Sequence, residues 1–258
     1  MTACDPVGPP HVTRADLLAC FGALGVCPGH LVQVHSSLSA LGHVVGGADT
    51  VVDALLECVG PDGTVMAPTF NHGRADIYDW RTTPSVNGAV TEALRRRPEA
   101  RRSIHPTHPY AAIGAHADYL TAGHLEVETF DRRSPLGKLA DLGGWVLLLG
   151  VGMRANTAAH IGESMAQVPC IGFNQQPRRI VAEDGSVQPA WSVVWRDGPC
   201  LIEWDPLEAR MRSKDLIRDA RIGAGQAQLM KALDVIETTF AMTGEICPGC
   251  PTRPRCQE

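Results

Sequence analysis

Short apolar segments separated by glycine and proline define the predicted strands of this chain. Val32 and Val34 alternate with polar positions, which is typical of a strand, and residues 64–67 form a second such segment. Residues 146–149 are wholly apolar with glycines on both sides, as in a strand buried on both faces of a sheet. Residues 179–195 predict a β-hairpin, because an Asp-Gly pair supplies the turn.

Helical spacing of apolar residues predicts the elements between these strands. Residues 13–24 begin with a T-x-x-D capping pattern and stop at a glycine. Residues 49–59 carry valine and leucine on one face and stop at Gly-Pro. A further helix follows the apolar strand and ends at Ala166, and the spacing of apolar residues over 226–242 predicts a closing helix.

This order of elements predicts an α/β fold with a central mixed sheet sandwiched by helices, a β-hairpin excursion and C-terminal helices. The strand, helix and strand between residues 31 and 67 read as a βαβ unit. With 258 residues and 44% hydrophobic content, the chain can bury a large core. We therefore expect a single domain over residues 1–258, with a Cys- and Pro-rich tail at 246–258.

Charge and hydropathy narrow the range of partners. A formal net charge of −5 argues against a nucleic-acid surface, which is normally basic, and is compatible with a cationic small-molecule substrate. No apolar run is long enough to span a bilayer, and residues 1–18 lack the charged and apolar regions of a leader peptide. We expect no membrane association and a cytoplasmic location.

The nine cysteines are scattered through apolar segments, which indicates reduced thiols better than disulfides. Cys247, Cys250 and Cys256 are close together in the tail and raise the question of a zinc site. Structural zinc takes four ligands, so a fourth would have to come from Cys4 or a histidine. The alternative is a proline-rich terminus with free thiols, and we expect no metal.

A polar, glycine-rich segment follows the first predicted strand and has the composition of a ligand site. It contains Ser36, Ser37 and Ser39, followed by Gly42, Gly46 and Gly47. Glycines let a backbone approach a ligand closely, and helix N-termini present N–H groups to phosphate. The spacing matches neither the dinucleotide-binding fingerprint nor a Walker A loop.

Four blocks of sequence resemble one known family. They read VHSSLSALGHVVGGADTVVDALLECVGPDGT at 34–64, TPSVNGAVTEALRRRPEARRSIHPTHPYAAIG at 83–114, SPLGKL at 134–139 and GWVLLLGVGMRANTAAHIGESMAQVP at 144–169. In this order they resemble the aminoglycoside 3-N-acetyltransferases, a family distinct from the GNAT acetyltransferases. The resemblance implies transfer of an acetyl group from acetyl-CoA to the 3-amino group of the 2-deoxystreptamine ring of aminoglycosides, which confers antibiotic resistance.

The resemblance also implies where CoA binds. Expected contacts to its pantetheine and pyrophosphate come from the serine and glycine segment: His35, Ser36, Ser37, Ser39, Val44, Val45 and Gly46. Arg102 and Ser103 are expected to meet phosphate charge, because arginine binds phosphate in a bidentate way. His35 is alternatively a hydrogen-bonded histidine of the core. Expected partners are an aminoglycoside and CoA, in a monomer or homodimer.

The catalytic base implied by the resemblance is His160, in the string TAAHIGE that begins at Thr157. The commoner family string TSLHLAE has a further hydroxyl, so here stabilisation of an oxyanion falls on Thr157 or on a backbone amide. Glu203 and Asp205 match an acidic pair of the family. On an extended chain they face one side, where one would orient His160 and the other bind a substrate ammonium. Glu163, one helical turn after His160, is a competing partner and is also expected among the residues that bind the substrate.

Other reaction classes lack their motifs. A serine hydrolase of the G-x-S-x-G type is excluded because that string does not occur, and metal-dependent amidohydrolysis lacks H-E-x-x-H. A non-catalytic binding module would not explain a histidine, an acidic pair and a phosphate-type loop in one chain. Within the family, the alternative is an N-acyltransferase that acts on a non-antibiotic biosynthetic amine.

Overall fold

A computed structural model describes residues 11–168, 175–193 and 204–249. The strands are β1 His11–Val12, β2 Leu31–Ser36, β3 His43–Val44, β4 Thr64–Pro68, β5 Arg101–Arg102, β6 Tyr110–Gly114, β7 Trp145–Leu149, β8 Gln175–Val181, β9 Val187–Val193, β10 Arg218–Ile222 and β11 Gly225–Lys231. The α-helices are α1 Arg14–Ala23, α2 Gly47–Val59, α3 Ala89–Arg95, α4 Ala117–Thr121, α5 Pro135–Asp141, α6 Ala158–Met165, α7 Trp204–Arg212 and α8 Ala232–Ile246.

Seven strands form the central sheet in the order β10-β11-β7-β2-β4-β6-β5. Strands β7, β2 and β4 are parallel to one another, and the flanking pairs are antiparallel. The parallel pairing of β2 with β4 around α2 confirms the βαβ unit. The predicted mixed sheet is confirmed.

Helices cover both faces of this sheet because successive side chains of a strand point to opposite sides. Val32 and Val34 of β2 pack with α1, α2 and α3 on one face. Leu31 lies on the other face, in a core built with α4, α5, α6, α7 and α8. The predicted sandwich is thus confirmed. No helix in the described part of the chain is long and apolar enough to cross a bilayer.

The predicted ends of the early helices agree with the structure. Thr13 caps α1 through a capping box with Asp16, an arrangement that contributes about 1 kcal/mol to helix stability. Helix α2 ends at Gly60, whose φ of 65° lies in the left-handed region that favours glycine. The sequence pattern therefore located both helices to within two residues.

The predicted helix over residues 226–242 is wrong in its first part. Residues up to Lys231 form β11, and the helix begins only at Ala232. Strand β11 lies between β10 and β7, with Leu229 opposite Leu147, and it is buried on both faces. A strand buried on both faces shows no alternation, so its apolar run has the same appearance as part of a buried helix.

The β8–β9 hairpin is confirmed, with Gly185 at a φ of 85° in its turn. It forms a separate two-stranded sheet and pairs with no strand of the central sheet in the described ranges. Tyr78 connects the hairpin to the segment that follows β4. Its backbone exchanges hydrogen bonds of 2.9 and 2.8 Å with Arg179 and Val181. Tyr78 also packs with Ile180 in a small apolar cluster.

Candidate active site

Four elements of the central sheet bring loops to one edge. The parallel strands β2, β4 and β7 end there, and the antiparallel β6 begins there, with Tyr110 opposite Pro68. Ligand sites of α/β proteins gather at the carboxyl ends of such strands. A cavity of about 380 Å³ opens at this edge. Residues from the loops around the strands line it: Phe70, His72, Thr107, His108, Phe130 and Thr157.

His160 lines the same cavity and is paired with Glu163. Its Nδ1 lies 2.6 Å from Glu163 Oε2, because residues three apart on α6 share a face of the helix. Glu163 is 1% exposed, so the carboxylate is largely removed from water. A carboxylate at Nδ1 holds the proton on that nitrogen and leaves the lone pair on Nε2, the tautomer of a general base.

Thr157, at the start of α6, lines the cavity beside His160 and contacts two side chains of β2. His35 Nε2 lies 3.2 Å from Thr157 Oγ1 and accepts the backbone N–H of Thr157 at 3.4 Å. Gln33 Nε2 donates to Thr157 Oγ1 at 3.4 Å. Burial, with a smaller contribution from the nearby His160, lowers the pKa of His35 to about 3. His35 is therefore neutral at physiological pH and faces Thr157.

Three further histidines lie together at the cavity, and one of them, His108, lines it. His105 and His124 are stacked with ring centroids 4.5 Å apart, and His108 packs edge-on against Phe70 at 4.6 Å. Burial lowers the pKa of all three, to about 3 for His124, and neighbouring histidines lower it further. These rings are neutral in the folded protein above pH 6.5, the ordinary pKa of histidine.

Neutral buried histidines make the stability of the fold depend on pH. The unfolded chain binds protons at these sites below pH 6.5, whereas the folded chain does so only near pH 3 at His35 and His124. The contribution of these neutral histidines to stability is complete above pH 6.5 and is lost as the pH falls, at up to about 1.4 kcal/mol per pH unit for each site.

We expect the free energy of unfolding, measured in urea, to fall between pH 6.5 and pH 5, and we expect His124→Gln to make that fall less steep. An unchanged slope in the variant would show that His124 is protonated in the fold.

The segment between β2 and α2 carries most of the predicted CoA contacts. Ser37 and Ser39 have their hydroxyls 3.3 Å apart, and Ser36 is half-buried at the end of β2. Val45 and Gly46 are exposed immediately before the N-terminus of α2. Val44 differs from the expectation, because its side chain is buried in the core. This segment therefore presents hydroxyls and a helix N-terminus at the edge of the sheet where the parallel strands end, and such groups fit a phosphate-bearing ligand.

Arg102 and Ser103 do not fit their predicted role at a phosphate. Arg102 is 8% exposed, and its guanidinium donates to Thr69 and to the carbonyl oxygens of Trp80 and Thr83. Ser103 Oγ accepts the Tyr110 N–H and lies 2.9 Å from His124 Nδ1. Both side chains hold loops together in the interior, because backbone carbonyls there need donors.

The predicted acidic pair is only partly described. Glu203 lies outside the described residues. Asp205 is exposed in the first turn of α7, so the expected extended conformation is wrong at this position. The preceding Trp204 packs edge-on against the His160 ring at 5.4 Å, which places the start of α7 beside the site. Among described residues, Glu163 is the carboxylate that contacts His160.

The predicted cysteine cluster of the tail also stays untested. Cys250 and Cys256 lie outside the described residues. Within residues 11–168, 175–193 and 204–249, no group of three or more His, Cys, Asp or Glu side chains is arranged to hold a metal ion.

Several residues of the cavity wall were not predicted from the sequence. Phe70 and His72 follow β4, and Phe130 lies 4.9 Å from the His160 ring. Three more come from the hairpin: Gln176, Arg178 and Ser192. The position of Phe70 and His72 directly after a predicted parallel strand was the available signal. Nothing in the local sequence of the hairpin indicates that it reaches the site.

A family model described as aminoglycoside 3-N-acetyltransferase matches residues 33–243. The chain belongs to that family. Aminoglycoside N(3)-acetyltransferase VII of Streptomyces paromomycinus is 35% identical over 270 residues, which cover 91% of this chain and 92% of the relative. Membership of the family makes the chain an acyltransferase.

Solved structures of the family share the fold. AAC-IIIb in a binary complex with CoASH has a TM-score of 0.81 and 26% identity, over 91% of this chain and 97% of that one. A histidine-to-alanine variant of AAC(3)-IVa in complex with a gentamicin has a TM-score of 0.80 and 27% identity, over 96% and 97% of the two chains. The family therefore includes structures with CoA and with an aminoglycoside.

Proposed function

We propose that this chain transfers the acetyl group of acetyl-CoA to the 3-amino group of the 2-deoxystreptamine ring of aminoglycosides and thereby confers antibiotic resistance. The observation that carries the proposal is the His160–Glu163 pair on the wall of a cavity that also holds Thr157. Family membership, together with the CoASH and gentamicin complexes of its relatives, supports the choice of substrates.

The chemistry is a direct attack of the amine on the thioester. His160 Nε2 accepts the proton of the attacking amine, and Glu163 stabilises the resulting imidazolium. The Thr157 hydroxyl donates to the oxygen that becomes negative when the carbonyl carbon is tetrahedral. As the carbon–sulfur bond breaks, the CoA thiolate takes a proton from His160. The products are the N-acetylated acceptor and free CoA, and His160 returns to its starting state.

CoA is proposed to bind at the segment between β2 and α2. Ser36, Ser37 and Ser39 supply hydroxyls, and the backbone at Val45 and Gly46 is accessible beside the N-terminus of a 13-residue helix. These groups satisfy phosphate oxygens by hydrogen bonding. Because β2 ends at this segment, CoA bound there reaches the edge of the sheet where Thr157 and His160 lie.

The acceptor is proposed to extend from the cavity into an adjoining groove of about 440 Å³ beneath the hairpin. Ser192 lines both spaces, so the two lie next to the same part of the hairpin. Glu126 and Glu128 present exposed carboxylates there, opposite Trp191, which is 58% exposed. Carboxylates attract the ammonium groups of an aminoglycoside, and an aromatic face packs against a sugar ring. Asp205, exposed beside the site, adds a further negative charge.

Removal of the two groove carboxylates tests this placement of the acceptor. We expect Glu126→Gln with Glu128→Gln to raise KM for an aminoglycoside about threefold to tenfold, since exposed ion pairs contribute roughly 0.2–1 kcal/mol each. KM for acetyl-CoA and kcat stay unchanged. Glu99→Gln with Asp62→Asn makes the same change in net charge at exposed positions elsewhere and serves as the control. Equal effects of both double variants on KM would point to long-range charge and not to the groove.

The proposed activity itself is tested by thiol release. Purified protein is assayed with acetyl-CoA and deoxystreptamine aminoglycosides beside simple amines, and the acetyl group is located on the product. We expect acetylation of the 3-amino group and raised resistance in cells that express the protein. Turnover of simple amines without turnover of any aminoglycoside would support the alternative, an N-acyltransferase of a biosynthetic amine.

A further inference from the structure

Gln33 is a fully buried amide in the central strand of the sheet, with an exposure of 0%. It lies on the same face of β2 as Leu31 and His35, towards α5, α6 and α8. Burying an amide away from water costs free energy unless the amide is hydrogen-bonded. A leucine or valine is the ordinary residue at such a position, so the contacts of the Gln33 amide require an explanation.

Those contacts converge on Thr157. Gln33 Nε2 lies 2.9 Å from His35 Nε2 and 3.4 Å from Thr157 Oγ1. The backbone N–H of Thr157, which can only donate, points at His35 Nε2 at 3.4 Å. His35 Nε2 is therefore the acceptor, and its proton is on Nδ1. Neutral His35 and the Gln33 amide together fix both the backbone and the side chain of Thr157.

We propose that Gln33 and His35 are positioning residues that hold the Thr157 hydroxyl as the donor to the developing oxyanion. This inference rests on the proposed acetyl transfer. Gln33 donates to Thr157 Oγ1 and uses a lone pair of that oxygen. The O–H faces the acceptor His35 Nε2 at 3.2 Å and turns from there to the oxyanion as the tetrahedral carbon forms. A hydroxyl that accepts one hydrogen bond is also a stronger donor in the next, because the two bonds polarise each other.

A double-mutant cycle tests the proposal through its dependence on Thr157. Thr157→Val keeps the shape and removes the hydroxyl, and we expect kcat to fall about 10²-fold, as for loss of an oxyanion donor. Gln33→Met removes the amide at similar length, and we expect kcat to fall about tenfold with both KM values within about twofold, the scale of one lost hydrogen bond. In the Thr157→Val background, Gln33→Met should lower kcat no further. The same tenfold loss in both backgrounds overturns the proposal.

A second pair of variants covers the case in which Gln33→Met does not fold. His35→Gln places an amide oxygen near the position of Nε2 and should retain most of kcat, whereas His35→Leu should lose about tenfold. Equal kcat values in these two variants overturn the proposal. Gln228→Met, at a buried amide on β11 that bonds to Glu208 and Asp219, is the matched control. It should change the melting temperature without changing kcat, and a tenfold loss of kcat there would assign the effect to the sheet in general.

The cycle is measured with whichever amine the unmodified protein acetylates, by release of CoA thiol. Failure to acetylate any aminoglycoside therefore counts against the proposed function alone. Additive effects of Gln33→Met and Thr157→Val in a protein that acetylates an amine count against the positioning role alone.

Discussion

Replacement of His160 by alanine is expected to lower kcat by about 10²–10⁴-fold, the usual contribution of a general base. The imidazole lines the cavity and its Nδ1 is held by Glu163, so Nε2 accepts the proton of the amine in the proposed reaction. Alanine is well tolerated inside α6, because it has the highest helix propensity. The melting temperature and the Kd for CoA, measured by calorimetry, should change little.

The matched control for this variant is His116→Ala, at the N-cap of α4. The His116 backbone N–H bonds to Thr64 at the start of β4, the edge of the sheet opposite the site. This variant should keep kcat within about twofold. Turnover near that of the unmodified protein in His160→Ala would exclude His160 as the base and leave the proton acceptor to be found elsewhere in the cavity.

Replacement of Glu163 by glutamine is expected to lower kcat by about 10³-fold with little change in either KM. The amide has nearly the same shape as the carboxylate but can present an N–H to His160 Nδ1, which places the histidine proton on Nε2 and abolishes the base. It also removes the charge that stabilises the imidazolium. Because position 163 is buried, solvent cannot compensate for the loss of that charge.

Asp205→Asn provides the comparison for Glu163→Gln, since the family resemblance favours one member of the pair Glu203 and Asp205, and the contacts favour Glu163. Asp205 is exposed at the start of α7, so we expect its kcat to stay within about threefold and any change to appear in KM for the acceptor. A large loss of kcat in Asp205→Asn, with full kcat in Glu163→Gln, would reverse the assignment.

The family resemblance indicated Thr157 and His160, and local spacing added Glu163 as a partner of His160. Thr157, His160 and Glu163 lie within two turns of one helix, so the helical repeat alone brings the last two into contact. The roles of Arg102 and Ser103 could not be predicted in the same way. A charged or polar side chain near a predicted site is equally able to bind the backbone of its own loops, and only the path of the chain decides between these uses.

Contacts between distant segments explain why the other parts of the site and the fold could not be predicted from the sequence. Gln33 and Thr157 are 124 positions apart and meet only because β2 and β7 are neighbours in the sheet. The strand order that makes them neighbours depends on the packing of helices on both faces, which no short window of sequence contains. For the same reason the local pattern predicts helix where β11 lies, since the burial of that strand on both faces comes from β10 and β7.

The separate hairpin sheet has a consequence for how this enzyme can diversify. Gln176, Arg178 and Ser192 reach the cavity from β8 and β9, which share no backbone ladder with the seven-stranded sheet in the described ranges. Side chains on this hairpin can be exchanged without disturbing the register of the strands that hold Gln33, His35 and α6. In the proposed arrangement, the choice of amine can therefore change under selection by new compounds, while His160, Glu163 and the seven-stranded sheet remain as they are.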